Sequence, residues 1–349
     1  MNEEKRKLQV GIVGLGGSGK YHIFGFNRHP GACVVAGADT NPKLRRSRSE
    51  EYGLKCYENM EAMLNAHKLD IVSIVTPTYL HKDLTIQALK CGCHVMCEKP
   101  MAMNSAESLV MVQAAQKAGR QLGIHFNKRF SPQATAMKKI VDSGELGDIY
   151  FARSAWCRRR GIPHFGEWGS KKTLSGGGAF SDIGVHSLDL ALWLMSFPEP
   201  SWVMASSYNH IGAQLAKNQG ITFEVEDMGV SMIKFKNGTT LELEAAWAAN
   251  IKEKEFISLR LLGDKAGLLQ QSLNGGYECG VAIYLEKDGF QYDTTLQTLP
   301  SDDTSHYAFV DAVLNGVPFM AGGGEGHAVM KILDAVYKSA ETGKPIHVL

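Results

Sequence analysis

The chain has 349 residues, 44% of them hydrophobic, and sets 37 Lys and Arg against 36 Asp and Glu. That length predicts about two domains, each able to bury its own core, and a formal net charge of +1 offers no field for nucleic acid or an anionic membrane. The one compositional excess is glycine, 37 residues beside only 11 prolines, so the glycines are expected at particular backbone positions rather than in a disordered tract.

Met1–Lys7 is polar and lacks the apolar core of a signal peptide. Leu8–Val13 then reads as a buried strand that runs into Gly14-Leu15-Gly16-Gly17-Ser18-Gly19 and a helix. The pattern G-x-G-x-x-G at 14, 16 and 19, placed between a strand and a helix, is the context in which glycines let a backbone approach a pyrophosphate at a helix N-terminus. Cys33–Ala38 is the second strand, and Asp39 at its end lies 20 residues beyond Gly19. In this motif an acid there accepts hydrogen bonds from the adenosine ribose, and its charge repels a 2′-phosphate, so NAD is expected over NADP. Arg45, Arg46 and Arg48 read as the solvated face of the helix that Asn41-Pro42 opens.

Ile71–Val75 ends in Thr76-Pro77, and His94–Cys97 ends in Glu98-Lys99-Pro100, each leading into a helical segment. Strands alternating with helices predict a parallel, doubly wound sheet of Rossmann type, in which strand carboxyl ends face the ligand crevice. Lys99 at such an end could stabilise an alkoxide on a substrate. Seven cysteines, an odd number in strand-like surroundings, predict a reduced, cytoplasmic chain. Cys91, Cys93, His94 and Cys97 alternate along a strand, which separates His94 from Cys93 and Cys97, so no metal is expected there.

From about Asp148 the runs lengthen: 149–156, 202–208, 228–235, 239–247 and 256–262 read as strands of a mostly antiparallel open sheet. The expected organisation is therefore a dinucleotide-binding domain over residues 1–125 and an α+β substrate-binding and oligomerisation domain over 126–349. The last helix, which follows an expected flexible turn at Gly322–Gly324, should pack back on the first domain.

Within the second half, Cys157–His164 carries three arginines, read either as a solvated loop or as placing Arg158 or His164 over a substrate. Trp168 reads equally as a stacking residue at the cofactor or sugar and as a core tryptophan. The second glycine cluster, Gly176–Gly178, leads into a helical segment on which Asp182 and His186 share one face. A carboxylate so placed can orient an imidazole and raise its basicity, and the glycines are expected to bring this helix up to the substrate. No stretch reaches the ~18 apolar residues of a membrane span, since Leu188–Met195 is broken by Asp189.

Gly14–Gly19, Thr76-Pro77 with His81, Glu98-Lys99-Pro100, Asn127-Lys128-Arg129-Phe130, Gly176–Gly178, and Asp182 with His186 occur in the order and spacing of one family. The chain resembles the Gfo/Idh/MocA oxidoreductases, relatives of glucose-fructose oxidoreductase and inositol dehydrogenase, over about residues 8–195. Gly263-Asp-Lys-Ala-Gly267 extends the likeness. The resemblance implies reversible hydride transfer between nicotinamide C4 and a carbinol carbon of a sugar, glycoside or cyclitol, in a homodimer or homotetramer. It implies His186 as general base with Asp182 as its partner, Lys99 polarising the oxygen, and Thr76, Pro77, His81 and Glu98 along the NAD. Asn127 and Lys128 match substrate-facing positions of inositol dehydrogenases, but Asn127 stands for a larger apolar residue, which disfavours inositol itself. The alternatives are an enzyme that retains NAD and cleaves or epimerises glycosides by transient oxidation, and a non-catalytic NAD-binding sensor, against which the joint presence of Lys99, Asp182 and His186 argues.

Overall fold

A computed structural model describes residues 6–297 and 304–348; of the polar start Met1–Lys7, residues 1–5 lie outside the described residues. The described residues divide into two compact units, one within Met1–Asn127 and Asp303–His327, the other within Lys128–Asp302 and Ala328–Leu349.

In the first unit, β1 (Leu8–Val13), β2 (Ala32–Ala38), β3 (Lys55–Tyr57), β4 (Ile71–Ile74), β5 (His94–Cys97) and β6 (Leu122–Ile124) form one sheet in the order β3-β2-β1-β4-β5-β6. Every pairing is parallel. All four residues of β4 are buried, the unbroken apolar run demanded of a strand covered on both faces. This is the Rossmann order, whose direction reverses between β1 and β4.

Local chemistry sets the helix limits. Asn41 accepts from Lys43 N before the helix Pro42–Tyr52, which ends at left-handed Gly53. Asn104 accepts from Glu107 N before the helix Ser105–Ala118, which ends at left-handed Gly119.

The chain returns to this unit through the helix Ser305–Asn315, where His306 packs on Phe26 with ring centroids 4.9 Å apart. Gly322 then bridges to Gly123, and Ile124 N donates to Ala321 O at 2.8 Å. The segment expected as a flexible turn is therefore an extension of the sheet edge leading into the helix Gly323–Thr342. The division into units falls within this last helix: its start belongs to the first unit and, from Ala328, to the second.

The second unit is built on β7 (Ile149–Arg158), β8 (Pro200–Tyr208), β9 (Met228–Phe235), β10 (Thr240–Ala246), β11 (Glu255–Gly263), β12 (Ala266–Ser272), β13 (Cys279–Lys287), β14 (Phe290–Thr295) and β15 (Ile346–His347). They form one sheet in the order β14-β13-β12-β11-β7-β10-β9-β8-β15, parallel between β10 and β7 and antiparallel in its other pairs. On β9, Gly229, Ser231 and Ile233 are buried while Val230 and Met232 are exposed, the period-two split of a sheet with one covered face.

The covering helix Val185–Leu194 is buried at every residue. Asp189, which interrupts its apolar run, forms a paired contact with fully buried Arg129: Nε to Oδ2 at 2.9 Å and Nη2 to Oδ1 at 2.5 Å. No helix among the described residues is long and apolar enough to cross a membrane.

Candidate active site

The loop after β1 shows a division of labour among its glycines. Gly14 has φ +94°, and a Cβ there would lie 2.3 Å from Val75 O; one at Gly19 would lie 2.1 Å from Gly14 O. These two are required by the turn and by the close approach of helix to strand. Gly16 and Gly17 meet nothing within 4 Å, and no side chain caps the helix Gly17–Asn27 that follows. Its first N–H groups are left for a ligand, and the helix dipole favours an anion there.

Asp39 is tied to the same loop. Its Oδ2 accepts Leu15 N at 2.8 Å and its Oδ1 accepts Asn41 N at 2.7 Å; a carboxylate retains lone pairs beyond these two. The arginines differ from their expected solvated face. Arg46 is exposed and pairs with Glu50, but Arg48 is 13% exposed and donates from Nε to Leu15 O, while Arg45 Nη1 donates to Asp39 O at 2.8 Å. Burial of the glycine-loop carbonyl supplies the reason: it needs a donor, and Arg48 reaches it.

Across the sheet, His81 is 1% exposed and places Nε2 on Thr76 O at 2.8 Å and Nδ1 on Pro100 O at 2.9 Å. Burial pushes its pKa down. Expected along the cofactor, His81 instead clips the Thr76-Pro77 turn to the segment after β5, because both ring nitrogens are spent on backbone. Glu98 is likewise engaged by protein, with Oε1 on His22 and His125 and Oε2 accepting Lys99 N. The Lys99–Pro100 bond is cis. Thr76 Oγ1 and Asn127 Oδ1 are buried and have no hydrogen-bond partner among the described residues.

In the second unit the glycine cluster does structural work. Gly176 ends the helix Lys172–Ser175 in the left-handed region, at φ +81°. A Cβ at Gly177 would lie 1.9 Å from Tyr337 Oη and one at Gly178 1.9 Å from Glu226 O. These glycines make room for Tyr337 and Glu226 rather than for a substrate. Glu226 in turn accepts Gly178 N at 3.0 Å and Phe180 N at 2.9 Å, fastening the π-helical turn Phe180–Gly184 that carries Asp182.

Asp182 Oδ2 accepts Trp247 Nε1 at 2.8 Å and lies 3.9 Å from Arg158 Nη1. Arg158 donates from Nε to Glu255 at 3.0 Å, from Nη1 to Gly161 O and from Nη2 to Tyr277 Oη. Glu255 also takes Trp156 Nε1. Arg158, expected over the substrate, is thus consumed by an internal network. His164 pairs with Glu167 at 3.2 Å and lies tilted against Trp168, centroids 4.8 Å apart, within the second unit.

His186 is 9% exposed, and its ring lies 5.7 Å from Trp156. Together with Lys128, Ser154, Gln270 and Tyr277 they line a cavity of about 120 Å³. Lys128 Nζ sits 4.7 Å from the Trp156 ring and 5.8 Å from the Tyr277 ring. Burial pushes its pKa down, and Arg158 adds to the effect. Trp156, Trp247, Glu255 and Tyr277 were not singled out from sequence; each sits on or beside a strand, where alternation names a face but not a partner.

Residues 8–126 match the model described as "Oxidoreductase family, NAD-binding Rossmann fold", and residues 134–269 match the GFO/IDH/MocA C-terminal domain. The chain belongs to the GFO/IDH/MocA oxidoreductase family. D-glucoside 3-dehydrogenase of Escherichia coli strain K12 is 34% identical to this oxidoreductase over 347 residues, covering 96% of each chain. An aldose-aldose oxidoreductase of Caulobacter crescentus, solved with glycerol, superposes with a TM-score of 0.82 at 26% identity, over 98% of this chain and 100% of that one. Levoglucosan dehydrogenase in complex with NADH shares the fold, with a TM-score of 0.87 at 23% identity, over 99% and 100%.

The oxidoreductase therefore carries an NAD-binding Rossmann domain, and the residues present fit that cofactor. Gly16 and Gly17 face open space in which a Cβ would meet no protein atom within 4 Å, no side chain caps the helix N-terminus, and Asp39 is held at the end of β2.

Proposed function

We propose that this oxidoreductase oxidises one secondary hydroxyl of an uncharged sugar or glycoside, with Asp39 selecting NAD. The observation that carries the reading is the cavity beside His186. Two aromatic faces, Trp156 and Tyr277, stand with Lys128, Ser154 and Gln270 around it, a combination of apolar platform and hydrogen-bonding groups suited to a pyranose. Arg158, whose guanidinium lies 5.6 Å from the Trp156 ring, is already engaged by Glu255, Gly161 and Tyr277 with Asp182 3.9 Å away, so two carboxylates of the protein already answer its charge and disfavour a phosphate or carboxylate on the substrate. The E. coli relative named D-glucoside 3-dehydrogenase supports a glycoside as substrate and the 3-hydroxyl as the reacting group.

When bound, NAD would supply a hydride acceptor. His186 takes the hydroxyl proton, and Asp182, oriented by Trp247, stabilises the imidazolium that forms. Lys99 donates to the substrate oxygen and favours its alkoxide. Asn127 Oδ1, a buried acceptor, receives a neighbouring hydroxyl, and Lys128 donates to another from between its two aromatic rings.

A panel of glucosides, free hexoses and cyclitols incubated with NAD tests this, with NADH formation followed and the product identified by NMR. A 3-oxo glucoside with stoichiometric NADH is expected, and Lys99→Met and His186→Ala each lower kcat by at least about a hundredfold. Product without NADH would favour cleavage or epimerisation with retained NAD, and no product from any panel member overturns the proposal.

A further inference from the structure

Three imidazoles lie against one another inside the first unit. His22 comes from the helix Gly17–Asn27, His125 from the residue after β6, and His306 from the first turn of the helix Ser305–Asn315. His22 and His306 are 0% exposed and His125 2%. Their ring centroids are 4.4, 4.4 and 4.7 Å apart, and one nitrogen from each ring lies within 4.8 Å of the other two.

Hydrogen bonding accounts for half of the six nitrogens. His22 Nδ1 meets Ser73 Oγ at 2.8 Å, and Glu98 Oε1 meets His22 Nε2 at 3.0 Å and His125 Nδ1 at 2.8 Å. His125 Nε2 and both nitrogens of His306 are buried without a partner among the described residues. Buried polar atoms are paired as a rule, and unpartnered nitrogens on two imidazoles packed against a third call for a ligand that takes nitrogen lone pairs. Nothing in the proposed oxidation uses His125 or His306.

We propose that His22, His125 and His306 form an internal site for one divalent transition ion of zinc type. Imidazole is a favoured ligand for such ions. A tetrahedral ion with nitrogens at ~2.1 Å places them roughly 3.4 Å apart, so the ligand nitrogens close from the 4.8 Å limit by no more than about 1.4 Å, the rings turning toward the ion rather than approaching one another, since their centroids are already 4.4, 4.4 and 4.7 Å apart. Part of the supporting shell is already in place. Glu98 holds His125 by Nδ1 and leaves Nε2 for the metal, the carboxylate–histidine–metal arrangement, while His22, held by Ser73 at Nδ1, gives up its Nε2 contact with Glu98 Oε1 to take the ion. Held by three imidazoles with a water in its fourth position, the buried ion would fasten the first helix of the unit, the end of β6 and the returning helix to one another. Tyr21, 46% exposed, lies 5.4 Å from the His306 ring and 5.9 Å from that of His125, and its rotation offers an entry path.

The test uses the full-length protein, stripped with chelator and titrated with Co²⁺ and then Zn²⁺. One equivalent of Co²⁺ should give the intense visible bands of a tetrahedral centre, Zn²⁺ should displace them, and saturation should raise Tm by about 5 °C. His306→Phe and His125→Gln should abolish both signals while quenching by NAD shows the fold intact. Wild-type protein with neither the bands nor the Tm rise overturns the proposal, as does equal uptake by a folded His306→Phe, which would place the metal on other histidines. No arm measures turnover, so the outcome is independent of the assigned reaction.

Discussion

Trp247 Nε1 donates to Asp182 Oδ2 at 2.8 Å, fixing the acid of the Asp-x-x-x-His pair from the sheet side. Trp247 directly follows β10 and is 2% exposed, so the indole is held by packing and transmits that rigidity to the carboxylate. A hydrogen bond to a charged group is worth roughly 1.5–3 kcal/mol. Trp247→Phe should lower kcat by about tenfold or more while KM for the sugar changes less than twofold; equal changes in both would mean that the indole only shapes the pocket.

Asp39 accepts Leu15 N and lies beside Arg45, whose Nη1 donates to its carbonyl. In wild type the carboxylate should favour NAD over NADP by at least about tenfold, ~1.4 kcal/mol. Asp39→Ser removes the repulsion and leaves Arg45 able to meet a 2′-phosphate. The ratio of kcat/KM for the two cofactors should move toward NADP by at least about tenfold, and an unchanged ratio would show that Asp39 does not face the ribose.

Two glycine substitutions should separate ligand space from packing space. Gly16→Ala adds a methyl where nothing lies within 4 Å, at φ −65°; Tm should hold while Kd for NAD rises at least about tenfold. Gly178→Ala drives its Cβ to 1.9 Å from Glu226 O. The cost should be about 1–3 kcal/mol, read as a Tm loss of roughly 2–4 °C per kcal/mol, with Kd for NAD unchanged.

Burial raises the pKa of Glu226, against the lowering influence of Phe180 N, Tyr337 Oη and Gly178 N. A carboxyl with a raised folded-state pKa binds its proton more tightly in the folded protein. Its stabilising contribution is present below the ordinary value of 4.5 and is lost as pH rises through the folded value. Denaturation of wild type and Glu226→Gln across pH 4 to 8 should show the wild-type advantage greatest at the acid end and shrinking with pH. A constant difference would contradict this.

The exposed face of the second sheet presents Val230 and Met232 beside Met204, with Arg153, Glu242 and Glu244 around them. Exposed apolar strand surface of this kind marks an interaction site, and we propose that association into a homodimer or homotetramer covers it. Met232→Glu should shift the protein to a smaller species in sedimentation velocity; an unchanged distribution would locate association elsewhere.

The doubly wound sheet was legible because its strands are short apolar runs punctuated by turn residues, and because Gly14, Gly19 and Asp39 follow a spacing that backbone geometry itself imposes. Lys99, Asp182 and His186 are proposed from their residue types at strand and helix ends and from their order along the chain. Asn41, Asn104 and the glycines that follow their helices are local signals of the same kind, complete within a few residues.

Tertiary structure alone decided who each side chain serves. His81 and Arg158 looked ligand-facing, yet backbone carbonyls near His81 and Glu255 beside Arg158 claim them, because a buried polar atom must be paired with whatever folding brings near. Gly177 and Gly178 looked like an approach to substrate, yet they yield space to Tyr337 and Glu226, which come from far along the chain. The meeting of His22, His125 and His306 across nearly the whole sequence leaves no local trace. Spacing along the chain records what the backbone requires of neighbours, whereas contacts between distant residues arise only when the sheet assembles.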